Sequence, residues 1–134
     1  MSLFVDTSVW SLAFRRDAPA QVPQVDVLRN ALETGDSIFT TGLVLQELLQ
    51  GAAGPKAREP IMRRFAALPF LVPDRADHIK AARLHAACRQ KGIQITTIDA
   101  LLAALCLQHG LTMLSTDLDF AHIARVEPLK VWKP

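Results

Sequence analysis

Leu101-Leu102-Ala103-Ala104-Leu105-Cys106-Leu107 places seven apolar residues in a row. Read as a helix, this stretch is apolar around its whole circumference, and such a helix belongs in the middle of a core. The helical pattern extends back to Ile98 and forward to His109, where Gly110 stops it. Leu111-Thr112-Met113-Leu114 then reads as a short strand. The same alternation recurs through the chain. Strands are expected at 3–5, 37–40, 70–72, 111–114 and 129–132. Helices are expected at 8–16, 25–33, 43–50, 55–68 (with a fresh start near Pro60), 75–91, 98–109 and 118–124. Pro19 and Pro23 mark 17–23 as a loop, and 94–96 is read as a tight or extended connection. Strands alternating with helices imply a mainly parallel central sheet covered on both faces, a three-layer α/β/α sandwich.

The chain has 134 residues, half of them hydrophobic and 21% charged. That fits one globular domain over 1–134, large enough to fold without disulfides. Cys88 and Cys106 both fall in expected helices and read as buried thiols, with no zinc-type spacing around them. The formal charge of +2 allows nucleic-acid binding without arguing for it. The opening MSLFVDTSVW lacks the basic region of a secretory signal. The longest apolar run falls well short of the roughly 20 residues of a membrane span. A cytoplasmic, non-membrane protein is the expectation.

Four carboxylates stand out. Asp6 follows the first strand and Asp117 follows the strand at 111–114; ligands of open parallel sheets bind outside the carboxyl ends of strands. Glu47 shares a helical face with Val44 and Leu48, and Asp99 shares one with Leu102, Ala103 and Cys106. Both faces should point inward, and neither acid has a lysine or arginine three or four residues away. An ionised carboxylate in such a place is costly without a cation or hydrogen-bond donors. Taken singly, each acid has a plainer explanation. Asp6 or Thr7 would cap the first helix, Asp99 would complement the positive end of its own helix, Asp117 would cap the helix after it, and Glu47 would sit at a wet edge. Taken together, four acids converging at about 5 Å would repel by roughly 3 kcal/mol per pair at an effective dielectric near 20. Six such pairs rival the typical stability of a domain, about 5–15 kcal/mol. Oxygen-only donors suit Mg²⁺ or Mn²⁺.

The stretches Phe4-Val5-Asp6-Thr7-Ser8-Val9-Trp10, Val44-Leu45-Gln46-Glu47-Leu48-Leu49-Gln50-Gly51, Ile98-Asp99-Ala100-Leu101-Leu102-Ala103-Ala104 and Leu114-Ser115-Thr116-Asp117-Leu118-Asp119-Phe120 resemble PIN-domain nucleases, in particular VapC-type toxins of bacterial toxin–antitoxin pairs. They occur in that family's order and nearly span the chain. The resemblance implies an endoribonuclease that uses Mg²⁺ or Mn²⁺, an RNA substrate, a cognate antitoxin seated over the active-site groove, and a homodimer. It places the four family acids on Asp6, Glu47, Asp99 and Asp117. Asp119 matches a further acid, and Thr7 and Thr116 match neighbouring hydroxyl positions. Asp6, Asp99 and Asp117 (with Asp119) would hold one or two divalent ions for in-line hydrolysis. Glu47 would complete the metal shell or orient water. Thr7 and Thr116 would fix carboxylate rotamers, bind phosphate oxygens or act only as local caps.

Two other classes fit parts of the pattern. One is a PIN-like domain that binds RNA or protein without cutting; the clustered acids argue against it. The other is a receiver-type signalling domain, for which the 70–72 strand followed by Pro73-Asp74 is a poor match. His78 and His85 share a helical face but have no third ligand, and His109 and His122 have no partner at ligand spacing. Lys56, Arg58, Arg63 and Arg64 read as a solvated helix face, with RNA or antitoxin contact as the sharper alternative. Arg15 and Arg16 would lie near the site mouth. Trp10 and Phe120 read as packing residues.

Overall fold

The computed structural model describes residues 1–15, 17 and 21–134. Its centre is β1 (Leu3–Val5), three fully buried residues that pair in parallel on both sides. One neighbour is β2 (Ile38–Phe39); the other is β3 (Thr112–Leu114), which pairs in turn with β4 (Lys130–Val131). The order is β2-β1-β3-β4, all parallel. Seven helices accompany these strands among the described residues: α1 (Thr7–Phe14), α2 (Pro23–Thr34), α3 (Gly42–Gly51), α4 (Pro55–Phe65), α5 (Arg75–Gln90), α6 (Thr97–His109) and α7 (Asp119–Ile123). The expected α/β architecture, a parallel sheet flanked by helices, is therefore what the chain adopts.

The helix quoted first lies where its composition demands. Ala100 through Cys106 of α6 are all buried, and α6 packs against α5, α7 and β3. Thr96 caps its start, the hydroxyl accepting from Asp99 N–H at 3.0 Å, and Gly110 ends it in the left-handed region at φ 65°. A second centre of packing forms around α1. Trp10 is buried, with ring centroids 4.9 Å from Phe65 and 5.8 Å from Phe14. Phe120 is fully buried and anchors the short α7. Cys88 and Cys106 are buried thiols.

Three expectations fail for identifiable reasons. Pro23 does not break structure but opens α2 in its first turn, where the missing N–H costs nothing. Pro60 lies inside one continuous α4 instead of restarting it. The carbonyl it leaves without an intrahelical donor belongs to the exposed Lys56, where water can supply one. The 70–72 strand shrinks to a single parallel bridge between Thr40 and Phe70. Val72 is 85% exposed, so no apolar burial rewards extending the pairing. The Pro19 breaker and Arg16 lie outside the described residues. Among the described residues no helix is long and apolar enough to cross a membrane.

Candidate metal centre

The parallel register assembles the site. Val5 pairs with Leu114, and Asp6 N–H donates to the Leu114 carbonyl at 2.9 Å, so Asp6 comes to lie beside Ser115. The chain passes from β1 outward to β2, then crosses to the other side of β1 for β3. The β1/β3 crevice is thus the topological switch point of the sheet, where such folds place ligands.

Asp6 occupies the N-cap position of α1, yet its side chain makes no capping bond. Its Oδ2 instead accepts two hydroxyls, Ser8 Oγ at 2.9 Å and Ser115 Oγ at 2.8 Å. These hydroxyls in turn accept backbone donors: Thr116 N–H gives to Ser8 Oγ at 3.1 Å, and Asp117 N–H to Ser115 Oγ at 2.9 Å. Asp6 is only 8% exposed and Ser115 only 7%.

Asp99, Asp117 and Asp119 each offer a carboxylate oxygen, and the three oxygens lie within 4.8 Å of one another. Asp99 stands in the first turn of α6. Burial pushes its carboxyl up to about 6; the charges of Asp6, Asp117 and Asp119 add to that rise, and a hydrogen bond with Thr96 opposes it. Asp117 has a local role as well, since Oδ1 accepts Asp119 N–H at 2.9 Å. Asp6 and Glu47 are both outside the tight trio: Asp6 is near enough for its charge to act on Asp99, and Glu47 is tied in through Thr7, whose hydroxyl donates to Oε1 at 2.9 Å. Beyond that pair runs a groove of about 240 Å³, lined by Thr7, Phe14, Arg15, Glu47, Leu48 and Ile61. Thr116 supplies a backbone donor, to Ser8, and its own side chain is exposed. Arg15 is on the groove wall and pairs with the exposed Asp17 at 3.3 Å. Arg63 pairs with Glu59 on the exposed face of α4.

Ser8 and Ser115 escaped sequence reasoning. Their role depends on a pairing between residues more than a hundred positions apart, and the only local signal is a serine two residues after one acid and two before another.

Among the described residues the ion pairs are Arg15–Asp17 and Arg63–Glu59, and they involve none of these acids. A carboxylate cluster with no ion pair to a basic side chain among the described residues is a donor set for a hard divalent ion, so the residues present fit Mg²⁺ or Mn²⁺.

The family model of the PIN domain matches residues 3–126. The chain belongs to the PIN-domain family. Within it, the chain is 33% identical over 130 residues to the VapC ribonuclease Mb1587 of Mycobacterium bovis, covering 96% of each protein. It is equally 33% identical to ribonuclease VapC23 of Mycobacterium tuberculosis, over 85% of this chain and 90% of the relative. Among solved structures, VapBC2 from Rickettsia felis, bound to a DNA fragment from its promoter, superposes with a TM-score of 0.76 over 98% of both chains, at 18% identity. VapC20 of M. tuberculosis, a sarcin–ricin-loop-cleaving toxin, superposes with a TM-score of 0.67 over 90% of this chain and 93% of that one, at 19% identity. These neighbours carry the fold, and family membership removes the receiver-type reading.

Proposed function

We propose that this chain, acting as one domain over 1–134, is a divalent-metal-dependent endoribonuclease and the toxin of a toxin–antitoxin pair. The observation that carries the reading is the meeting of Asp99, Asp117 and Asp119 within 4.8 Å, beside the buried Asp6, at the switch point of the sheet. The relatives named VapC ribonuclease support RNA as substrate, and the VapBC complexes support an antitoxin partner. A homodimer belongs to the same proposal.

Asp6, Asp99, Asp117 and Asp119 would hold Mg²⁺ or Mn²⁺. When bound, such an ion supplies positive charge against phosphoryl oxygens and acidifies a coordinated water. The chain's own residues do the rest. Burial and the neighbouring carboxylates raise the Asp99 carboxyl to about 6, so its ionised form is one that a cation would stabilise. Thr7 fixes the Glu47 carboxylate, so that Glu47 Oε2 remains able to accept a proton or orient water at the groove mouth. Arg15 offers a cation along the groove to an RNA phosphate. The exposed Thr116 hydroxyl is available to a phosphate oxygen.

The test is incubation of the purified chain with structured and single-stranded RNA in EDTA, Mg²⁺ or Mn²⁺. Metal-stimulated cleavage that disappears in Asp117→Asn supports the reading. RNA binding without cleavage in either metal would favour the non-cutting alternative and overturn it.

A further inference from the structure

We infer that Ser8 and Ser115 are positioning residues that hold Asp6 as a one-oxygen ligand and lock the Asp117 turn to the end of β1. The inference rests on the metal reading above. It comes from counting protons. A serine hydroxyl has one hydrogen to donate. In both serines the bond to Asp6 Oδ2 uses it, at 2.9 Å from Ser8 and 2.8 Å from Ser115. The two hydroxyl oxygens are 3.3 Å apart, a contact left without a proton of its own. Oδ2 therefore has two donors aimed at it in a side chain that is itself buried, which leaves Oδ1 as the oxygen of Asp6 open to a cation.

The other half of the device faces the 115–119 turn. Each serine oxygen accepts a backbone N–H, from Thr116 at 3.1 Å and from Asp117 at 2.9 Å. The turn closes on itself through Asp119 N–H to Asp117 Oδ1 at 2.9 Å. A continuous chain of hydrogen bonds thus runs from the Asp6 carboxylate, through two hydroxyls, to the backbone that carries Asp117 and Asp119. Hydroxyl donors to a ligating carboxylate fix its rotamer, and partners of this kind typically govern metal affinity by about 10–100-fold. Thr7 stands between Asp6 and Ser8 and serves Glu47 instead, so adjacent hydroxyls of one helix turn address different acids.

The experiment measures Mn²⁺ binding to the metal-stripped protein by calorimetry, together with the melting temperature in EDTA. The variants are Ser8→Ala, Ser115→Ala, the double variant and Ser8→Thr. Ser8→Ala and Ser115→Ala should each weaken Mn²⁺ binding by about 10-fold or more. The double variant should lose less than the product of the two, because both act on one carboxylate. Ser8→Thr, which keeps the hydroxyl, should bind within about threefold of the parent. A role confined to folding would lower the EDTA melting temperature and leave Mn²⁺ affinity at the parent value. That result, or failure of Ser8→Thr to restore affinity where Ser8→Ala loses it, overturns the inference. The Ser8 pair decides the matter even if Ser115→Ala does not fold. A parent that binds no Mn²⁺ overturns the metal reading itself, and the positioning role with it.

Discussion

Asp99→Asn gives the most informative single substitution, because its effect should change sign with solution conditions. Burial and the neighbouring aspartates lift the Asp99 carboxyl from an ordinary 3.8 to about 6. The folded state therefore binds this proton more tightly than the unfolded chain. Well below pH 4 the carboxyl is protonated in both states, and at pH 4 the charge burden is still small. The burden grows as pH rises from about 4 to 6 and is complete above that window. Each pH unit of the lift corresponds to about 1.4 kcal/mol. Water screening of a half-buried group leaves about 1–2 kcal/mol of net destabilisation at pH 8. Asparagine keeps the shape and removes the charge. In EDTA at pH 8 the variant should therefore melt about 3–8 °C above the parent, and at pH 4 the gap should shrink to about a degree or two. Saturating Mn²⁺ should reverse the order, because the cation stabilises only the protein that binds it. Scanning calorimetry at the two pH values, with and without Mn²⁺, makes the measurement. A variant that melts well below the parent in EDTA at pH 8, or a gap that does not depend on pH, would refute the reasoning and make Asp99 a structural carboxylate.

Leu102 is fully buried in α6, so Leu102→Ala should cost about 2–5 kcal/mol and lower the melting temperature by more than 5 °C without altering Mn²⁺ affinity in the folded fraction. Thr96→Ala removes the cap of α6 and should cost about 1 kcal/mol in a denaturant titration, with an unchanged slope. Burial pushes both thiols up, Cys106 most strongly, so neither should react with a disulfide reagent in the native protein. Both should titrate after unfolding; rapid native labelling of Cys106 would contradict its place in the core.

What could be read before folding was what depends on short spacing. The all-apolar circumference of 101–107 requires a central helix, and the acids after 3–5 and 111–114 sit at strand ends whatever the detailed packing. Helix boundaries at Gly35 and Gly110 follow from left-handed backbone at φ 76° and 65°. Pro23 and Pro60 do not act as breakers, because a proline's effect depends on its position within a helix and on what water can reach. The 70–72 segment has strand-like composition, but its pairing was decided by exposure. The serines were invisible for a different reason. The bonds to Asp6 exist because β1 lies parallel to β3, and no local pattern connects Ser8 to Ser115. Glu47 shares a helical face with the buried Val44 and Leu48 but is itself only half-buried, and its link to the site runs through Thr7, a contact forty residues distant in the chain.

The parallel sheet has a consequence for synthesis. Among the described residues no strand pairs with its immediate successor through a tight hairpin; β1 finds β3 only after more than a hundred intervening residues have emerged. Non-local pairing of this kind forms late, because long loops must close first. On a translating ribosome, Asp6 and Glu47 would be displayed early while Asp99, Asp117 and Asp119 were still unmade or undocked. If the chain is the nuclease proposed above, a half-built chain would lack a complete acid cluster, and the cluster would close only with the insertion of residues 112–114, leaving an interval in which a neutralising partner could already be waiting.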